Sequence, residues 1–254
     1  MIITKEVWTE YIDGLETISD TAKSIIMDYI ANHDVDSDEG RRLFIEFCYG
    51  ISTKYGEAAT ELACIMYDNV SALEGANVPP AEPADTATYS EVAKAVNGTL
   101  KNLMRLEITG AAIGRLVKLS GQDTTLKNAI RDKAYYAWIP VGDTCPFCLS
   151  IAAEGWKKAS QKALAGGHAE HIHGNCNCAY SIKHKETTTY PFYVPKVYSD
   201  IFEAADGDTE EEKLNSVRRM AYQHNKDRIN KQKRSNYEKS KELESSEAEE
   251  INVN

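Results

Sequence analysis

The sequence predicts an α+β chain that is predominantly helical: long N-terminal helices, a small Cys/His-rich α+β subdomain, then a charged helical or disordered tail. Three observations predict it. Apolar residues recur every three or four positions through most of the first 133 residues, which is the helical period. An aromatic and β-branched run, Tyr135-Tyr-Ala-Trp-Ile139, breaks that period and suits a strand. Four of the six cysteines then fall in two tight pairs, Cys145/Cys148 and Cys176/Cys178. These shifts divide the chain into a helical region at 1–78, a Pro-rich linker at 79–87, a domain at 88–206 with its Cys/His cluster at 143–182, and a charged, partly disordered tail at 207–254.

The elements follow in order. Residues 4–33 read as one amphipathic helix, because Val7, Tyr11, Leu15, Ile18, Ala22, Ile25 and Tyr29 form a single stripe. The acidic cluster Asp34, Asp36, Asp38 and Glu39 favours a new helix start, where negative charge meets the positive end of the helix dipole. From about Arg41 to Glu74 a second stripe runs through Phe44, Phe47, Cys48, Ile51, Tyr55, Ala59, Leu62, Met66 and Leu73. Cys48 and Cys64 lie within this pattern and are expected to pack as small hydrophobes. Three prolines between Gly75 and Asp85 forbid a continuous helix there.

Thr88-Tyr-Ser-Glu91 reads as a capping box opening a third helix along Val92, Val96, Leu100 and Leu103. That helix is expected to continue toward Leu119, with a bend near Gly110 or Gly114. Gly121 suggests a stop, and Thr124 to Lys133 a further short helix. Beyond the strand at 135–139, residues 149–165 read as a helix ended by Gly166-Gly167, and Ala179-Tyr-Ser-Ile182 as a second strand. The run Tyr190-Pro-Phe-Tyr193-Val-Pro-Lys-Val-Tyr198 reads as an extended segment, either a docking strap or a linker packed on its own domain.

Composition narrows the function. The chain has 254 residues, 29 Lys+Arg and 39 Asp+Glu, for a net charge of −10. An acidic balance argues against a surface devoted to gripping nucleic acid. No apolar run approaches the roughly 18 residues of a membrane span, and the N-terminus lacks the pattern of a secretory signal. Charge is nonetheless uneven. Between Lys213 and Asn236 eight basic residues (Lys213, Arg218, Arg219, Lys226, Arg228, Lys231, Lys233, Arg234) face one acid, Asp227. The last eighteen residues reverse the sign with six Glu. This reads as a solvated helix fraying into a disordered tail. The basic stretch 213–236 is also a candidate contact for DNA or an acidic partner.

The chemistry concentrates in Cys145, Cys148, His168, His171, His173, Cys176 and Cys178. Zinc takes four tetrahedral ligands, commonly thiolates and imidazoles, and often joins a C-x-x-C turn to a second pair. Cys145-Pro-Phe-Cys148 supplies the turn, and His173-Gly-Asn-Cys176-Asn-Cys178 the second half. The expected centre is a structural zinc held by Cys145, Cys148, His173, Cys176 and Cys178 as candidates, with a Cys3His set and one spare thiol as a plausible arrangement. Spacing leaves open which of Cys176/Cys178 and of His171/His173 ligates. In an unexported chain a disulfide framework is not expected.

Three enzymatic readings compete for these residues. Cys-Pro-Phe-Cys resembles the dithiol motif of glutaredoxins, with Tyr193-Val-Pro195 similar to the proline loop of that fold, but the expected alternation of strands and helices does not follow. His168-Ala-Glu170 resembles the H-x-E of zinc deaminases, yet the C-x-x-C stands before it rather than after. His171-Ile-His173 suits a metal-dependent hydrolase or nuclease, but Glu170 is the only obvious carboxylate partner. No nucleophile elbow, phosphate-cradling glycine loop or opposed carboxylate pair is present, so no catalytic residue is predicted.

Taken together, Asp143-Thr-Cys145-Pro-Phe-Cys148 and His173-Gly-Asn-Cys176-Asn-Cys178 resemble the signature of the phage Mu F-like head morphogenesis proteins, or minor head proteins. That family shows an acid shortly before a C-x-x-C and then a His-Pro-x-Cys-Arg-Cys run leading into a strand. The likeness spans about residues 85–185 and is strongest over 143–182. Gly174 stands where the family usually has Pro, and Asn177 where it has Arg. The resemblance implies a non-enzymatic virion component made in the host cytoplasm and placed inside the phage head near the portal vertex. Its implied partners are the portal and/or major capsid protein, with packaged DNA a further candidate through 213–236.

Overall fold

The computed structural model describes residues 2–100, 107–141, 145–161, 176, 178–209, 211–220, 223, 226 and 230. Residues 2–200 contain six helices and three short strands among the described residues: α1 (Lys5–Asn32), α2 (Asp38–Glu74), α3 (Tyr89–Leu100), α4 (Glu107–Arg131), β1 (Tyr135–Ile139), α5 (Pro146–Ala153), β2 (Lys157–Lys158), β3 (Ala179–Lys183) and α6 (Pro195–Glu203), the last reaching into the segment beyond. The predicted class, predominantly helical α+β, is the class observed. No helix among the described residues is long and apolar enough to cross a membrane.

Helix ends fall where local chemistry sets them. Ser37 caps α2, its hydroxyl accepting from the Gly40 N–H, while the Asp34 carboxylate accepts from the Asp36 and Ser37 amides. At the other end Gly75 turns left-handed at φ 59°, and the Gly75 and Ala76 N–H groups close onto Ala72 and Ser71 carbonyls. A side chain with a Cβ adopts that conformation only at a cost. The capping box at α3 is reciprocal: Thr88 N donates to Glu91 Oε2 at 2.8 Å, and Glu91 N donates to Thr88 Oγ1 at 3.3 Å.

Two expectations are corrected. The helical sequence after residue 107 does not stop at its glycines; α4 is one helix through Gly110, Gly114 and Gly121 to Arg131, and the expected continuation of α3 through 101–106 lies outside the described residues. Gly121 lies where α4 crosses α2 so closely that an added Cβ would sit 2.9 Å from the Ala59 carbonyl oxygen and 3.2 Å from a Leu15 methyl. It is a packing glycine, and packing held the helix where local propensity suggested an end. The helix expected at 149–165 instead begins at Pro146 and ends at Ala153. Proline fits the first helical position, where its missing N–H costs nothing. The short strand Lys157–Lys158 follows, and Gly166-Gly167 lies outside the described residues.

These glycines give opposed expectations. Gly50, exposed in α2, has nothing within 4 Å of an added Cβ, so Gly50→Ala should stabilise the chain by about 0.5–1 kcal/mol through helix propensity. Gly121→Ala should instead destabilise it by ~1–3 kcal/mol through overpacking. Urea unfolding of the two variants checks the pair, and equal signs would contradict the crossing described.

The segment 79–87 lies along α2 and α4 rather than standing off them. Ala81 N donates to Asp68, Glu82 N to Asn128 and Ala84 N to Thr124, while Arg131 donates to the Pro79 and Pro80 carbonyls. α1, α2 and α4 pack on one another and α3 lies against α2 and α4. The sheet is antiparallel in the order β2-β1-β3, with Trp138 opposite Tyr180 and Ile139 opposite Ala179. Cys48 is fully buried, as its place in the stripe predicts, and Cys64 is half-buried.

The run 190–198 is not extended throughout, because α6 begins at Pro195; of its two readings, Tyr190 and Tyr193 favour packing on the chain's own domain. Tyr190 and Tyr193 are buried, the Tyr190 hydroxyl donates to the Ile182 carbonyl, and the Tyr193 hydroxyl donates to Ala152 O at 2.8 Å. Residues 201–254 form a second unit. Within it, residues 211–220 are helical, opened by a capping box in which Glu212 accepts from the Thr209 and Asp208 amides.

Candidate metal centre

Among the described residues three apolar clusters make up the core, and the third surrounds the cysteines. It joins Leu126, Trp138, Cys148, Cys176, Cys178 and Tyr180, with Phe147 and Ile151 packed against it. Each element delivers one part. β1 places Trp138, whose ring meets Tyr180 edge-on at 4.8 Å between centroids. α5 begins at Cys145, which takes the cap position with its Sγ accepting from Cys148 N at 3.4 Å. One turn later Cys148 is fully buried. Cys176 and Cys178 lead into β3, 4% and 3% exposed.

The two halves of the sequence motif meet here. Cys148 Sγ lies 3.4 Å from Cys176 Sγ, and the sulfurs of Cys148, Cys176 and Cys178 all lie within 4.8 Å of one another. A tetrahedral zinc with bonds of about 2.3 Å holds its sulfurs about 3.8 Å apart, so the observed spacing brackets what an ion needs. A disulfide would require about 2.05 Å, and none of the six cysteines is joined to another in one. The donor set is soft and water-excluded, which suits zinc among common metals. The cluster can therefore hold a metal ion.

Electrostatics point the same way. Bonds to Cys145, Cys176 and Cys178, followed by burial, push the Cys148 thiol far above its ordinary range. Cys176 is drawn down by its bond to Cys148, but Cys178 and burial outweigh that and raise it overall. A cation would reverse the upward shifts of Cys148 and Cys176, because a coordinated thiol gives up its proton outright. Backbone donors already face two of the sulfurs: Cys148 N on Cys145, and Val141 N on Cys178 at 3.4 Å.

Among the sequence candidates, Cys148, Cys176 and Cys178 are brought together and Cys145 lies beside Cys148. His173 falls outside the described residues, as do His168, His171, Glu170 and Asp143. The sequence reading missed the face of α4 that confronts the site. Lys118 Nζ donates to the Cys176 carbonyl at 3.1 Å, Gln122 Nε2 donates to the Cys178 carbonyl at 3.2 Å, and Leu126 packs below them. Their spacing of four is visible in the sequence, but a polar pair at that spacing is common on solvated helix faces. Both are buried, and burial lowers the pKa of Lys118, opposed by Glu16 and Asp20.

With this geometry in view, the chain can be compared with known proteins. Residues 2–205 match the family described as VG15 protein. The chain belongs to this family. That membership makes it a phage protein, and the matched span includes α1 to α6, the sheet and the cysteine cluster. Neither the curated proteins nor the solved structures contain a significant match.

Proposed function

We propose that this VG15 family protein is a minor head protein of the Mu F-like kind: a non-enzymatic virion component that acts near the portal during head assembly and is stapled by a structural zinc. The observation that carries the metal part is the buried convergence of Cys148, Cys176 and Cys178. Cys145, adjacent to Cys148, or His173, three residues before Cys176, supplies the fourth ligand. An ion enclosed by four protein ligands has no position for substrate or water, which fits a role in holding the chain together. The virion role rests on family membership together with the motif likeness at 143–182. The portal and major capsid protein are the proposed partners, inside the head and, before assembly, in the host cytoplasm. The basic stretch 213–236 is a further surface for packaged DNA.

Quantitative mass spectrometry of purified heads of the encoding phage tests this assignment. The protein should be present at low copy and remain with the portal when heads are disrupted. Its absence from purified heads would overturn the proposal.

A thiol–disulfide reading has one observation in its favour, the placement of Cys145-Pro-Phe-Cys148 at a helix N-terminus, where thiolates gain stability. Against it, Cys148 is buried, its thiol is raised rather than lowered, and its nearest sulfurs include those of Cys176 and Cys178. Zinc content together with the absence of a cycling Cys145–Cys148 disulfide separates the two.

A further inference from the structure

We propose that Lys118 and Gln122 are positioning residues of the metal centre, holding the Cys176-Asn-Cys178 arm from α4 in the geometry the ion requires. The inference rests on the metal reading above and adds residues that are not ligands. Its basis is a pair of hydrogen bonds from one face of α4. Lys118 and Gln122 stand one helical turn apart, an advance of about 6 Å. Their side chains leave α4 on the same side, toward the carbonyls of Cys176 and Cys178. One side chain therefore meets each cysteine carbonyl, at 3.1 Å and 3.2 Å.

Fixing both carbonyls fixes the peptide planes that follow Cys176 and Cys178, and so restrains the directions in which their Cα–Cβ bonds leave the backbone. Cys178 is also held through its sulfur, which accepts from the Val141 N–H. Side chains this enclosed are not there for solubility: Lys118 is 7% exposed and Gln122 2%. Lys118 also places an ammonium group beside a centre whose thiolates outnumber the charges on a divalent ion. Glu16 and Asp20 on α1, and Lys23, are the other charges acting on it. Partners that orient metal ligands change metal affinity by about 10–100-fold when removed.

The test uses the full chain and two variants, Lys118→Met and Gln122→Met, with zinc and cobalt(II) as probes. Each variant should hold zinc at least about tenfold less tightly in chelator competition. Each should also shift the cobalt ligand-field bands, which report the angles between ligands rather than overall stability. Lys118→Arg, which restores a cationic donor, should recover part of the affinity. Gln122→Met removes one donor and no charge, so it decides the matter if Lys118→Met fails to accumulate as folded protein. Wild-type zinc affinity and an unchanged cobalt spectrum in Gln122→Met would overturn the inference. A wild-type chain that binds neither ion would instead overturn the metal reading on which it rests.

Discussion

Cys148→Ser is expected to abolish zinc retention and to unfold the sheet region while leaving the N-terminal helices folded. Cys148 Sγ lies 3.4 Å from Cys176 Sγ and is hydrogen-bonded with Cys145 and Cys178 as well. Structural zinc contributes on the order of 10 kcal/mol of apparent binding free energy in small metal-dependent folds, so no other single change in this region should cost as much. The effect should be smallest where the N-terminal helices pack away from the sheet, since elsewhere α1 and α2 share a cluster with Ala137, Ile139, Ala179 and Ile182. The cluster of Ile26, Ile30, Phe44, Cys48, Val92, Val96 and Ile113 contains no residue from the cysteine region. Hydrogen exchange should show protection lost in Tyr135–Ile139 and Ala179–Lys183 and retained across the Phe44–Val96 cluster. Full protection at 135–139 in the serine variant would contradict a structural role for the site.

Trp138→Ala carries the second-largest expectation. Trp138 is 1% exposed and is the largest of the fully buried side chains. It sits between Leu126 of α4 and the cysteines, against the Tyr180 ring. Truncation removes most of that contact surface and leaves a cavity that the surrounding sheet can close only in part, so a loss of about 3–5 kcal/mol is expected. Because the same side chain shares a buried cluster with Cys148, Cys176 and Cys178, zinc should also leave the variant faster under chelation. Denaturant titration with metal held in excess separates the packing effect from the metal effect, and a loss below about 1 kcal/mol would show that the ring packs less closely than described.

Local signals were enough to read α1, α2, the capping box at Thr88 and both main strands from sequence, because each rests on a repeat or motif within a few residues. The failures share a cause. Gly121 signals an end in isolation, and only its distance to the Ala59 carbonyl, contributed by a residue sixty-two positions away, reveals it as a packing site. The start of α5 was misplaced because Cys145 was read as a ligand and not also as a cap. For the site, spacing revealed that two cysteine pairs should converge, and Cys148 does meet Cys176 and Cys178. Lys118 and Gln122 were invisible because their partners are backbone carbonyls, which leave no mark on sequence.

The account turns on one ion joining sulfurs from both halves of the motif. Zinc-edge X-ray absorption of the purified full chain measures this directly. About one zinc per chain with three or four sulfur neighbours at about 2.3 Å is the predicted result. A protein that carries no zinc, or zinc surrounded only by nitrogen and oxygen, would contradict it.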